Sequence, residues 1–409
     1  MRIPNKPFAG YKWRWAEVTP SEGLNNPLRL LGVLRAMRRH EGEPKTTENI
    51  LPDLQRIESD TNRLTGEKVR LARVGERNLF RNSDRYWKAL GLMEPDRQEI
   101  HLTPFGQNVA DGEITQNEFA ITVIRTLTLP NPNIEADISE WRHANLRIKP
   151  LELILAIIKA MHGAGGEANA YLTPYELQKI IIPLAGDHAT MAEYVKALEL
   201  FRSGDLNVAT FPDCAPGSND RRMVREFLLF LSHYGFCRLL AGQTNDTGRF
   251  FITTASIKEI DAISNITGIR SIKNLVQAVR QNSIILEAER RRILTEVISR
   301  PQQAKFRREI LANFANQCLL TNESTNIVLE ACHLIPVKHK GSDNISNGLC
   351  LRADIHILFD SKHIRFKPDG EVQYSELLRG SPTYAGLPRR IIFPQFISEE
   401  AVRWRYDYY

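Results

Sequence analysis

Residues Glu330 to Pro336 read EACHLIP, and Asn347, His356 and Asp360 follow in order. The gaps from His333 onward are 14, 9 and 4 residues. A histidine, with an unperturbed pKa of about 6.5, can accept or release a proton near neutrality. An imidazole and a carboxylate four residues apart lie on one face of a helix. Such a pair can hold a divalent ion and leave positions open for water and an anion. The Cys332–His333 pair taken alone allows three readings. It is a metal-binding pair, a thiol nucleophile with its base, or a histidine base beside a cysteine that packs. The nucleophile reading is the poorest, because adjacent strand residues point to opposite faces and cannot easily exchange a proton.

The surrounding residues supply elements that could position this set. NIVLEACHL is apolar and β-branched, as a strand ending at His333 would be. KHKGSDNISNG has loop and turn chemistry. LCLRADIHILFD enters a short helix, which carries His356 and Asp360.

The ordered pieces ACHLIP, SDN, NGLCL and HILFD resemble the HNH nuclease superfamily, the ββα-metal fold. They are most similar to its restriction-associated branch, and Gly370 in FKPDG suits the hairpin that follows the helix. The resemblance is strong over the C-terminal segment and only architectural upstream. It implies that His333 is the general base and that Asn347 braces the loop and orients it. It implies that His356 and Asp360 bind a divalent metal ion, with Mg²⁺ or Mn²⁺ favoured and another transition ion possible. Many relatives have an Asp or His ligand where this chain has Cys332, and Cys332 is expected to pack rather than to bind. Glu330 shares strand parity with Cys332 and is a solvated carboxylate or an outer ligand. Cys318 is expected in the core, and Asp343 and Asn344 are expected to hold the loop. Lys338, His339 and Lys340 are candidates for phosphate contact.

The chain has 409 residues, 42% hydrophobic and 25% charged, which suits a globular chain of two to four domains. No apolar run approaches the roughly 20 residues of a membrane span. The N-terminal residues lack the apolar core of a secretory signal. The five cysteines, Cys214, Cys237, Cys318, Cys332 and Cys350, are spread out and form no CxxC pair. Reduced thiols in the cytoplasm are therefore expected. Net charge is +6, and residues 270–310 alone hold ten Lys/Arg against four Asp/Glu. That local surplus fits an anionic partner, with double-stranded DNA the first candidate.

The expected fold is a multidomain α+β chain. Residues 1–147 and 148–265 read as two mainly α winged-helix-like domains, 266–302 as a basic helical linker, and 303–409 as the ββα-metal nuclease domain. In the first domain, NPLRLLGVLRAMRRHEG is helical with Arg35, Arg38 and Arg39 on its polar side. YWKALGL is a helix capped by Ser83 or Asp84, DRQEIHLT a turn and strand, and Pro104 opens another helix. In the second, helices within 151–163, 173–186 and 191–204 precede the Arg-bearing helix RRMVREFLLFLSHYG and a hairpin around GQTNDTG. Arg81, Arg85, Arg221, Arg222, Arg225, Arg290, Arg291, Lys338 and Lys340 are the candidate DNA contacts.

The expected function is that of a prokaryotic restriction-type endonuclease, dimeric at least while cutting. A modification-dependent nuclease is the alternative, with Trp13, Trp15 or Trp87 contacting a base, though a tryptophan is more often core. A DNA-binding regulator with an inactive nuclease domain fits less well, because the His333, Asn347, His356 and Asp360 set is intact.

Overall fold

The computed structural model describes residues 2–19, 23–65, 70–72, 79–95, 98–212, 218–240, 242–252, 254–266, 271–280, 301–339 and 341–409. The chain is mixed α and β, dominated by helices, with small sheets. Two compact units form. One draws on Met1–Asn26, Leu79–Phe105 and Ala120–Asn282, the other on Pro27–Asn78, Gly106–Phe119 and Ser283–Tyr409. Among the described residues no helix is long and apolar enough to cross a membrane.

In the first unit, helix Pro150–Gly165 buries Leu151, Ile154, Leu155, Ile157, Ile158 and Met161. Thr173 and Thr190 each begin a helical run with a reciprocal capping box, and Gly204 ends helix Met191–Ser203 in the left-handed conformation at φ 88°. Helix Ser218–His233 leads into the short strands Arg238–Leu239 and Phe250–Phe251. The anticipated hairpin is present, with only two paired residues on each side. Tyr171–Leu172 adds a third strand, in spatial order Tyr171–Leu172, Phe250–Phe251, Arg238–Leu239. Upstream, helix Leu79–Ala89 begins before Ser83 and Asp84, so neither caps it. DRQEIHLT contributes one isolated bridge, Met93 with Leu102, rather than a strand.

In the second unit, helices Pro27–Arg39 and Leu51–Thr65 pack with the C-terminal helix Glu399–Tyr408. An added Cβ on Gly32 would stand 3.1 Å from Tyr408 Cδ1, so the missing side chain permits this approach. Arg56 pairs with Asp407 at 2.8 Å, and Tyr408 Oη donates to Asp60 at 2.9 Å. Arg35 is turned inward rather than onto a polar face. Its guanidinium donates to the carbonyls of Ala110 and Tyr406, because those acceptors lie inside the packed unit. Strand Leu329–His333 pairs antiparallel with Gly348–Arg352, and helix Ala353–Asp360 follows directly. A second hairpin, Ile364–Phe366 with Val372–Tyr374, comes next. Its turn needs Gly370, at φ 85°, where a Cβ would lie 2.2 Å from Ile391 O.

Candidate active site

The hairpin register places Cys332 opposite Leu349 and His333 opposite Gly348. Helix Pro301–Asn313 lies against this hairpin. A Cβ on Gly348 would stand 2.3 Å from Ile310 Cδ1 and 2.7 Å from Phe306 Cζ, so only glycine admits both side chains. The buried Phe306 ring stacks on the His333 imidazole, with centroids 4.0 Å apart and planes 13° apart. Arg307 fixes the same helix to the strand by donating to Leu329 O at 2.8 Å.

The imidazole is held at one nitrogen. His333 Nε2 lies 3.0 Å from Asp343 Oδ1. A carboxylate can only accept, so this contact puts the ring proton on Nε2 and leaves Nδ1 as the acceptor. Burial pushes the His333 pKa below its ordinary value, with Asp343 pulling the other way, so the ring is neutral at neutral pH.

Asn347, 4% exposed, ties the loop to the strand end. Its Oδ1 accepts from Ile335 N at 2.8 Å, and its Nδ2 donates to Ile335 O at 3.1 Å and Ser342 O at 2.9 Å. Gly341 is required here, since a Cβ would fall 1.7 Å from Ile335 O. Asn347 thus braces the loop, while the side chain hydrogen-bonded to His333 is Asp343.

His356 and Asp360 occupy one face of helix Ala353–Asp360, with Nε2 and Oδ2 3.5 Å apart. Glu330 holds the other imidazole nitrogen, Nδ1, at 2.5 Å. Arg405 donates to the second Asp360 oxygen, Oδ1, at 2.7 Å, and to Phe359 O at 3.2 Å and Leu334 O at 3.4 Å. Cys332 completes the group: one donor atom each from Cys332, His356 and Asp360 lies within 4.8 Å of the others. The thiol is buried, as a packing cysteine would be, but it faces His356 and Asp360. The strand parity that separates it from His333 turns it toward helix Ala353–Asp360. Burial opposes a charge on His356, but Cys332, Asp360 and Glu330 outweigh it and raise its pKa to about 10. Sulfur, nitrogen and oxygen donors in this arrangement fit a divalent ion.

Several candidate DNA contacts are committed elsewhere. Arg85 pairs with Glu17, and Arg225 with Asp246 and Glu226. Arg81, Arg221, Arg222 and Lys338 are described in backbone alone, and Arg290, Arg291 and Lys340 lie outside the described residues. His339 is not placed for phosphate contact. It is 9% exposed and packs beside Trp404 and Tyr409, with ring centroids 5.9 and 5.6 Å away. Trp15 and Trp87 are fully buried and offer no face to a base, and nothing is described of the Trp13 side chain. Sequence reading missed Arg405 and Phe306. EEAVRWRYDYY and AKFRREIL carry no pattern that marks either residue.

Residues 318–367 match a family model described as HNH endonuclease. The match covers both hairpin strands, the loop and helix Ala353–Asp360, and ends before Arg405. Among curated proteins none matches the chain. The chain carries an HNH endonuclease domain, and DNA is the substrate that such a domain implies.

Proposed function

We propose that this protein is a site-specific, restriction-type endonuclease that hydrolyses phosphodiester bonds of double-stranded DNA. The observation that carries the reading is the His333 imidazole held at Nε2 by Asp343, which leaves Nδ1 as the acceptor, on the same hairpin that contributes Cys332 to the Cys332, His356 and Asp360 donor group. Asp360 and His356 are near enough to act electrostatically on His333. His333 Nδ1 takes a proton from water as the water oxygen attacks phosphorus. The bond from phosphorus to the 3′ oxygen breaks and that oxygen takes up a proton from solvent water, leaving 5′-phosphate and 3′-hydroxyl ends. Asp343 stabilises the imidazolium so formed, and Phe306 keeps the ring in plane. His356 and Asp360 would hold the divalent ion, which when bound supplies positive charge toward the phosphate and the leaving oxygen.

Recognition falls to the residues upstream of the nuclease domain. The order helix, strand, helices, hairpin over 150–251 and the three-stranded sheet with Phe250–Phe251 at its centre support a winged-helix reading of 148–265. Residues 1–147 are assigned the same role from the sequence order of helices before DRQEIHLT, although that stretch forms a single bridge, Met93 with Leu102, in place of a hairpin. The basic segment within 266–302 tracks the DNA backbone, with Arg290 and Arg291 as contacts. Cutting both strands takes a homodimer or two sequential nicks. Cys237, Cys318, Cys332 and Cys350 are free thiols, which accords with a cytoplasmic setting.

The test is incubation of the purified protein with methylated and unmethylated plasmid, with Mg²⁺, Mn²⁺, Co²⁺, Zn²⁺ or EDTA. Discrete fragments from unmethylated DNA, abolished by EDTA, are expected. Cutting of methylated DNA alone would replace restriction with modification-dependent cleavage. Shifted but uncut DNA under every metal condition would overturn the nuclease reading.

A further inference from the structure

We propose that Cys332 is a direct thiolate ligand, and that it makes this metal site selective for a thiophilic transition ion over Mg²⁺. This deepens the metal-dependent nuclease reading and rests on it. Three observations carry the assignment. The Cys332 sulfur lies within 4.8 Å of both other donors in the group. Zn–S and Zn–N bonds of about 2.3 and 2.0 Å at a tetrahedral angle put two donors on one ion about 3.5 Å apart, so side-chain movements of about 1 Å close the set. His356 Nε2 and Asp360 Oδ2, at 3.5 Å, already have such a spacing.

The second observation is that each partner is anchored through the atom the ion does not need. Glu330 occupies His356 Nδ1 and Arg405 occupies Asp360 Oδ1, so Nε2 and Oδ2, 3.5 Å apart, are the atoms turned toward each other. Metal-binding histidines are commonly fixed in this way by a carboxylate on the second nitrogen. The third is parity. Glu330 and Cys332 sit two residues apart on strand Leu329–His333, and both reach His356. One strand face therefore supplies both a ligand and the residue that orients the next ligand.

A thiolate among the donors changes which ion is held. Mg²⁺ requires near-octahedral oxygen donors and dehydrates reluctantly, whereas thiolate and imidazole donors favour zinc, cobalt and neighbouring transition ions. When the ion binds, the Cys332 thiol releases its proton to solvent and its sulfur lone pair forms the bond. With three protein donors, the ion keeps at least one position open for phosphate or water.

The experiment uses the full chain without DNA. Co²⁺ is titrated in and the near-ultraviolet thiolate-to-cobalt charge-transfer absorption is followed. A band saturating at one equivalent and resisting excess Mg²⁺ is expected. Cys332→Ser should remove the band and weaken Co²⁺ binding about tenfold or more, while Cys318→Ser and Cys350→Ser leave it in place. Cobalt bound to the wild-type chain without the band overturns the assignment, and so does a band that survives in Cys332→Ser. The wild-type titration decides the matter even if the serine variant fails to fold. Failure to cut DNA with the cobalt band intact would count against the nuclease reading alone.

Discussion

His333 must be neutral to accept a proton, and it must be held in one orientation. Burial against Phe306 secures the first condition, and Asp343 at Nε2 secures the second. Replacing His333 with Ala should lower the cleavage rate by about 10²–10⁴-fold, the usual contribution of a positioned base, with DNA binding unchanged in a gel shift. Normal cutting by that variant would show that another group is the base. Asp343→Asn should cost less, about tenfold in kcat with KM preserved, because the amide keeps a contact but loses the charge that favours the imidazolium. The chemistry-bearing residues were legible in the sequence because few side chains can do these tasks. The contact between Asp343 and His333 was not legible. It depends on the path of a loop closed by Gly341 and Asn347, whose backbone contacts have no one-letter signature. Cys332 shows the opposite limit. Strand parity placed it on the correct face, but parity does not say what faces it.

Two helices outside the hairpin decide how firmly these residues stand. Helix Pro301–Asn313 brings Phe306, and helix Glu399–Tyr408 brings Arg405. Phe306→Ala removes a buried ring and should destabilise the fold by about 3–5 kcal/mol in denaturant unfolding. It should also depress cutting beyond what the lost folded fraction explains, since the stacked face of His333 is then open. Arg405 is 6% exposed in its side chain and serves three acceptors on two elements. Arg405→Ala should cost about 1.5–3 kcal/mol, the range for hydrogen bonds to a charged group. Arg405→Lys should recover little of this, because a single ammonium cannot reproduce the planar fork. Full stability of the lysine variant would show that charge alone matters there. Helix types and most boundaries were readable from periodicity and caps, as with Thr173, Thr190 and Gly204. What a helix packs against, as with Arg35 turning inward, was not, because one helix face reads alike whether it meets solvent or a distant acceptor.

Across the whole chain, charge is distributed unevenly, and on the proposed reading the basic segment holds the DNA backbone. The +6 surplus equals that of residues 270–310. Affinity should therefore fall steeply with salt, and neutralising Arg290 and Arg291 together should reduce the slope of log affinity against log salt by about 2. An unchanged slope would place the phosphate contacts elsewhere. Arg85 and Arg225, already paired with carboxylates, should each contribute less to that slope than either of these. Packing follows a different plan from charge. The two units draw on separated stretches of chain, so residues near the start and near the end of the sequence share one core.

Arg405 lies 45 residues beyond the carboxylate it steadies. A ribosome therefore delivers His333, His356 and Asp360 well before the guanidinium that secures Asp360. A chain made only as far as Asp360 carries these side chains without the clasp that steadies them, so the site is assembled only once Arg405 has also emerged.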